Sequence, residues 1–71
     1  MVDEIWIAWD SGVDMNVGAA FDVNKLKHVI NQMEYRWIGE WVFDEDGTWE
    51  RDYKGYDENE VILLEYTRFI E

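Results

Sequence analysis

The chain of 71 residues has no cysteine and no proline. It has only six lysine and arginine residues, compared with 17 aspartate and glutamate residues. Without cysteine it forms no disulfide framework, zinc knuckle, iron–sulfur centre or thiolate nucleophile. The formal net charge of −11 repels nucleic acid and anionic membranes and attracts basic surfaces. The composition therefore argues against direct binding of DNA or RNA.

Long apolar runs are also missing. No stretch approaches the roughly 20 apolar residues that a membrane helix needs, and the acidic start over residues 1–4 is not typical of a signal peptide. With 48% hydrophobic and 17% aromatic residues, the chain has enough apolar mass to fold. We expect a single domain over residues 1–71, located in the cytoplasm.

The first part of the chain predicts two strands. Ile5, Ile7 and Trp9 alternate with Trp6, Ala8 and Asp10, which is typical of a strand with one mostly buried face. The cluster at residues 10–12 predicts a turn. A second alternating stretch over residues 16–21 then predicts a strand that pairs with the first.

A helical pattern follows Asp22, which we expect to cap the helix through its carboxylate. Apolar residues then recur at the spacing of an amphipathic helix, with polar residues on the other side. They are Val23, Leu26, Val29, Ile30 and Met33. We expect this stripe to dock on the sheet and the helix to end near Tyr35.

The segment from Trp41 to Trp49 predicts a hairpin, because Gly47 after three acidic residues supplies the positive φ of a tight turn. A three-residue loop would pair Phe43 with Trp49, Val42 with Glu50, Trp41 with Arg51 and Glu40 with Asp52. This register places two acids opposite each other, which costs stability.

The last segment fits two structures. Asp57 and Glu60 form a capping-box pattern, and an apolar stripe from Ile62 to Ile70 fits a helix. The composition is nevertheless rich in strand formers, and Ile62, Leu64, Tyr66 and Ile70 share one face of a strand.

Three short motifs favour the strand. The run Ile5-Trp6-Ile7-Ala8-Trp9, the stretch Gly-Ala-Ala-Phe-Asp over 18–22, and Glu65-Tyr66-Thr67 resemble small uncharacterised β-β-α-β proteins of phage and bacterial genomes. The resemblance spans most of the chain, with residues 37–56 as an apparent insertion. It implies a closing strand and a phage-like origin but no activity. We therefore predict an α+β domain in which one helix packs on one face of an antiparallel sheet, in the order β-β-α-β-β-β.

Charge is unevenly distributed along the chain. Residues 40–60 hold nine acids and two bases, whereas residues 23–39 hold three bases and one acid. Carboxylates at i and i+2 of a strand, such as Glu50 and Asp52, lie about 6.7 Å apart. This spacing is of the order of that between successive phosphates, and carboxylates accept hydrogen bonds from arginine as phosphates do. A solvated acidic surface that keeps a small domain soluble is the simpler alternative.

Five tryptophans are many for so small a core, and large aromatic residues exposed together mark interfaces. We expect at least two to be buried and at least one, Trp6 or Trp37 foremost, to be partly exposed and to anchor a partner. The candidate partner-binding residues are Glu40, Asp44, Glu45, Asp46, Glu50, Asp52, Asp57, Glu58, Trp6 and Trp37.

Other chemistry has little support in the sequence. The acidic cluster at residues 44–46 with Glu50 offers oxygen ligands for Ca²⁺, but its spacing is not that of an EF-hand, and turn chemistry explains it better. Ser11 and His28 are the only residues of their types, so a Ser-His-acid triad is not indicated. We expect neither an enzyme nor a cofactor or metal site.

The sequence therefore suggests a small phage-type inhibitor whose acidic face stands in for phosphates. Its expected partner is a basic nucleic-acid-binding host protein, such as a defence nuclease. The alternative is a structural or assembly subunit that self-associates, for example as a homodimer, through exposed aromatic residues.

Overall fold

The computed structural model describes the backbone of residues 2–70 and the side chains of residues 4–67. It contains five strands and one helix in the predicted β-β-α-β-β-β order. They are β1 (Val2–Asp10), β2 (Met15–Ala20), α1 (Val23–Asn31), β3 (Trp37–Phe43), β4 (Trp49–Lys54) and β5 (Asn59–Ile70).

The five strands form one antiparallel sheet in the order β2-β1-β5-β4-β3. The long closing strand β5 lies at the centre, paired with β1 on one side and with β4 on the other. Helix α1 packs on one face of the sheet and leaves the other face open. The predicted α+β fold is confirmed.

Helix α1 begins as predicted, because the Asp22 carboxylate accepts a hydrogen bond from the Asn24 N–H at 2.8 Å. Leu26 and Ile30 are fully buried against the sheet. The helix ends at Asn31, four residues before Tyr35. The amides of Gln32 and Met33 bond to carbonyls three residues back, which tightens and ends the last turn.

The buried face of β1 carries Trp6, Ala8 and Asp10, while Ile5, Ile7 and Trp9 lie on the open face. Ala8 is fully buried and lies opposite Gly18 of β2. Two such small residues give the helix room to approach the sheet. Hydrophobicity alone would have favoured the isoleucine face, so the fit of the helix outweighs it here.

The β3–β4 turn has the predicted geometry. Gly47 has φ +85°, and the amide of Asp44 bonds to the carbonyl of Thr48 at 2.8 Å. Phe43 pairs with Trp49 and Val42 with Glu50, as expected.

From Val42 back toward the start of β3, the predicted pairing of β3 with β4 is wrong. The pairing shifts, so that Ile38 lies opposite Asp52 and Trp37 opposite Tyr53. Gly39, with φ +77°, supplies the left-handed backbone within the irregular stretch. Ile38, and not Glu40, is therefore opposite Asp52, and within the irregular stretch Trp41 has no paired residue in β4. The bulge removes the like-charge pair that the sequence had suggested.

The last segment is a strand of 12 residues, so the helical alternative is wrong. Ile62 and Leu64 are fully buried on the helix side, between β1 and β4. Glu60 caps no helix and instead accepts a hydrogen bond from the Ser11 hydroxyl. The prediction that Ile70 shares this face concerns a side chain outside the described residues 4–67.

Candidate functional site

The open face of the sheet has an apolar half and an acidic half. Strand alternation places Ile5, Ile7 and Trp9 of β1 on this face together with Val61 and Leu63 of β5. Trp9 lies opposite Leu63, Ile7 opposite Glu65 and Ile5 opposite Thr67. None of the five apolar side chains is fully buried, and Trp9 is 38% exposed. The helix does not cover these five residues, and Glu65 of β5 lies among them, opposite Ile7.

The acidic half lies on β4 and β3. Glu50 and Asp52 alternate with the core-facing residues of β4 and so lie on the open face, about 6.7 Å apart along the strand. Both side chains line a shallow depression on this face. Glu40 lines it from the edge strand β3, together with Ile38 and Val42. We call Glu40, Glu50 and Asp52 the acidic strip.

A second group of acids adjoins the strip at the turn end of the hairpin. Asp44, Asp46, Glu50 and Glu65 line a notch between the β3–β4 turn and β5, and no basic side chain lines it among the described residues. We call these four residues the acidic notch. Glu50 belongs to both groups, so the two form one acidic surface. Glu45 lies exposed at the tip of the same turn.

The remaining predicted acids are elsewhere. Asp57 and Glu58 lie at the opposite end of β4, where they line a groove with Glu60, Tyr53 and Tyr56. The nine acids of residues 40–60 are therefore divided between two ends of the sheet and do not form one surface.

Two basic side chains are held on the helix side. Lys27 Nζ lies 3.0 Å from the ring centroid of Trp49, and burial lowers the pKa of this lysine. Arg51 stacks over Trp37 at 4.5 Å and donates hydrogen bonds to the carbonyl of Gly39 and to Asn31 Oδ1. Both cations are occupied by local contacts, so they do little to neutralise the acidic surface.

Arg51 also makes a weak contact with the acidic strip. Its Nη2 lies 3.9 Å from Glu40 Oε2, and the Glu40 side chain is 87% exposed. At this separation and exposure the ion pair contributes little. Lys54, at the end of β4, is the one described base that alternates onto the open face.

The two tryptophans predicted as anchors lie on the helix side. Trp6 and Trp37 are both half-buried and pack against the core. Trp6 contacts Tyr66 at a ring separation of 5.4 Å, and Trp37 contacts Tyr35 at 5.1 Å. The most exposed tryptophan is Trp9, on the open face. Its place in the β1 alternation was visible in the sequence, but the choice of buried face depended on the packing of the helix.

The structure also contains a buried carboxylate, Asp10, that no pattern in the sequence indicates. Asp10 is only 3% exposed and accepts hydrogen bonds from the hydroxyls of Tyr35 and Tyr53 and from the Gly12 N–H. Burial, with the Asp10 hydrogen bond and charge, raises the pKa of Tyr35 to about 12 and raises that of Tyr53 as well. A Cβ at Gly12 would overlap the Tyr53 hydroxyl. This cluster ties the end of β1 to β4 across β5, which fixes the sheet that carries the acidic surface.

Among the described residues, Ser11 and His28 make separate local contacts, and no metal-binding group of side chains is found. His28 is exposed and bonded to Gln32, while Ser11 donates to Glu60. Among residues whose placement is described, no three His, Cys, Asp or Glu side chains are grouped to hold a metal ion. Within the same part of the chain, no helix is both long and apolar enough to cross a membrane.

Comparison with known proteins gives no further guide. No family model, no curated protein and no solved structure matches the chain.

Proposed function

We propose that this protein is a small inhibitor of phage type that binds a basic nucleic-acid-handling host protein through its acidic strip and notch. The observation that carries the proposal is the placement of the acids. Glu50 and Asp52 stand side by side on one strand, Glu40 and the notch residues extend the surface, and Lys27 and Arg51 are held on the other side of the sheet.

The geometry suits a surface that binds arginine and lysine. The carboxylates of the acidic strip project from strands β3 and β4 and not from a loop, so binding costs little backbone ordering there. Their spacing along β4 is similar to that of successive phosphates, and each accepts charge-assisted hydrogen bonds. A groove built to bind a nucleic-acid backbone would find matching acceptors on this surface.

The apolar half of the open face favours a second candidate function. Ile5, Ile7, Trp9 and Leu63 could bury themselves against a second copy of the chain, which would make the protein a self-associating structural subunit. The net charge of −11 per copy opposes this association. The two functions differ in a simple observable, because self-association raises the measured mass with concentration and needs no partner.

The test of the proposed function is capture of proteins from a bacterial lysate on the immobilised chain. The Glu50→Gln, Asp52→Asn variant loses two charges from the strip. The matched control, Asp57→Asn with Glu58→Gln, loses two charges from the other end of the sheet. We expect basic nucleic-acid-binding proteins to be retained by the wild type and the control, released by added DNA, and lost with the strip variant. Equal retention by both variants would overturn the proposal.

A further inference from the structure

The central strand β5 has a free edge. It pairs with β1 over residues 62–70, but its pairing with β4 ends where Leu64 lies opposite Trp49. Beyond that point β4 gives way to the hairpin turn, and no described strand lies on this side of residues 65–70. Six residues of β5, a length of about 20 Å, are therefore paired on one side alone.

Hydrogen bonds at the start of β5 show which backbone groups point to this edge. The carbonyl of Val61 accepts from the Ser11 N–H and its own N–H donates to Ser11 Oγ, so both groups of Val61 face β1. Backbone direction alternates along a strand, and the β5 register has no shift. The N–H and C=O of Tyr66, and those of residues 68 and 70, therefore face the free edge.

The acidic notch adjoins this edge. Glu65 and Glu50 lie on its open-face side, and Asp44 and Asp46 lie across it on the turn. A Cβ at Gly47 would sit 3.8 Å from the Tyr66 ring, so the turn closes one end of the notch. The edge thus combines unpaired backbone groups with four carboxylates.

We propose that the free edge of β5 accepts an extended basic segment of a partner protein as an added strand. Tyr66 would supply backbone hydrogen bonds. Lysine or arginine side chains on alternate residues would lie beside Glu65 and Glu50. The residues between them would be apolar and would contact the Tyr66 ring on the helix side. The inference goes beyond the proposed function, since it needs the edge and not the mimicry of phosphate.

Charge selects this occupant over a second copy. Pairing of two β5 edges would bring Glu65 and the notch acids of one chain against those of the other, and like charges in contact destabilise a pair of strands. The acids would then also protect the edge from self-pairing, as charged residues do on many exposed edges. The same acids would attract a basic segment.

The test uses an acetylated six-residue peptide that alternates lysine and valine, and its counterpart with glutamate in place of lysine. We expect the basic peptide to bind at least tenfold more tightly at low salt. Tyr66→Pro removes the edge N–H and the ring, whereas Tyr66→Ala removes the ring alone, so the two form a matched pair. Binding to Tyr66→Pro should be about fivefold weaker than to Tyr66→Ala, the factor expected from one lost hydrogen bond.

Amide hydrogen exchange in the wild type measures binding at this edge without depending on the folding of any variant. The Tyr66 amide should exchange faster than the Leu64 amide in the free protein and should slow at least tenfold when the basic peptide binds. The proposal is overturned if the peptide does not bind, or if it binds without slowing Tyr66 exchange. It is also overturned if the protein self-associates through this edge in place of binding the peptide. The edge proposal shares Glu50 with the proposed function, but it is tested at the Tyr66 backbone, whereas the proposed function is tested by release with DNA, so either can fail alone.

Discussion

Replacement of the buried carboxylate in Asp10→Ala should destabilise the fold by about 3 kcal/mol. Three donors, the hydroxyls of Tyr35 and Tyr53 and the Gly12 N–H, bond to this side chain. Hydrogen bonds to a charged group contribute roughly 1.5–3 kcal/mol each, so three give a gross loss of about 4.5–9 kcal/mol. The cost of burying the carboxylate, several kcal/mol, disappears with it and offsets part of that loss.

Urea denaturation followed by tryptophan fluorescence measures the change in unfolding free energy. The Tyr53→Phe variant removes one donor and should cost roughly 1–3 kcal/mol. The double variant should lose less than the sum of the two, because the same hydrogen bond is counted in each. If Asp10→Ala changes stability by less than about 0.5 kcal/mol, the Asp10 carboxylate does not hold β1 to β4 and the reasoning fails.

Three further predictions concern the helix, the hairpin and the pH dependence. Leu26→Ala and Ile30→Ala should each cost roughly 2–5 kcal/mol in a denaturant titration, since both are fully buried; losses under about 0.5 kcal/mol would contradict the docking of α1. Gly47→Ala should lower the melting temperature through strain at φ +85°, and an unchanged value would contradict the left-handed turn. Tyr35, whose pKa is raised to about 12, stabilises the fold fully below its unfolded pKa of about 10 and should lose that contribution as the pH rises from 10 to 12. Tyr35→Phe should lessen this decline, and an identical pH profile would contradict the assignment.

The sequence predicted the elements well because their local signals agree with the tertiary structure. Asp22 both precedes an amphipathic stripe and caps it. Gly47 lies where the hairpin needs a positive φ. Composition favoured a strand at residues 61–69, and β5 is the centre of the sheet, where aliphatic residues are buried on pairing.

Three features of the surface depend on packing that no local pattern encodes. The buried face of β1 follows from the fit of α1 over Ala8 and Gly18. The bulge at Gly39 changes the register of β3, which separates Glu40 from Asp52. The Asp10 network joins residues 25 and 43 positions apart in sequence. Glu50 and Asp52 were predictable as neighbours because i and i+2 on a strand share a face whatever the register.

Competition with nucleic acid tests the central claim most directly. A captured partner bound to labelled DNA should release it when this protein is added. The affinity of this protein for the partner should fall as salt rises, since screening shortens to about 8 Å at 0.15 M. Reversal of charge in Glu50→Lys with Asp52→Lys should abolish the release, while Asp57→Lys with Glu58→Lys should change it far less. A partner that binds this protein and DNA at the same time, or that binds the strip variant as tightly as the wild type, would contradict phosphate mimicry by the acidic strip.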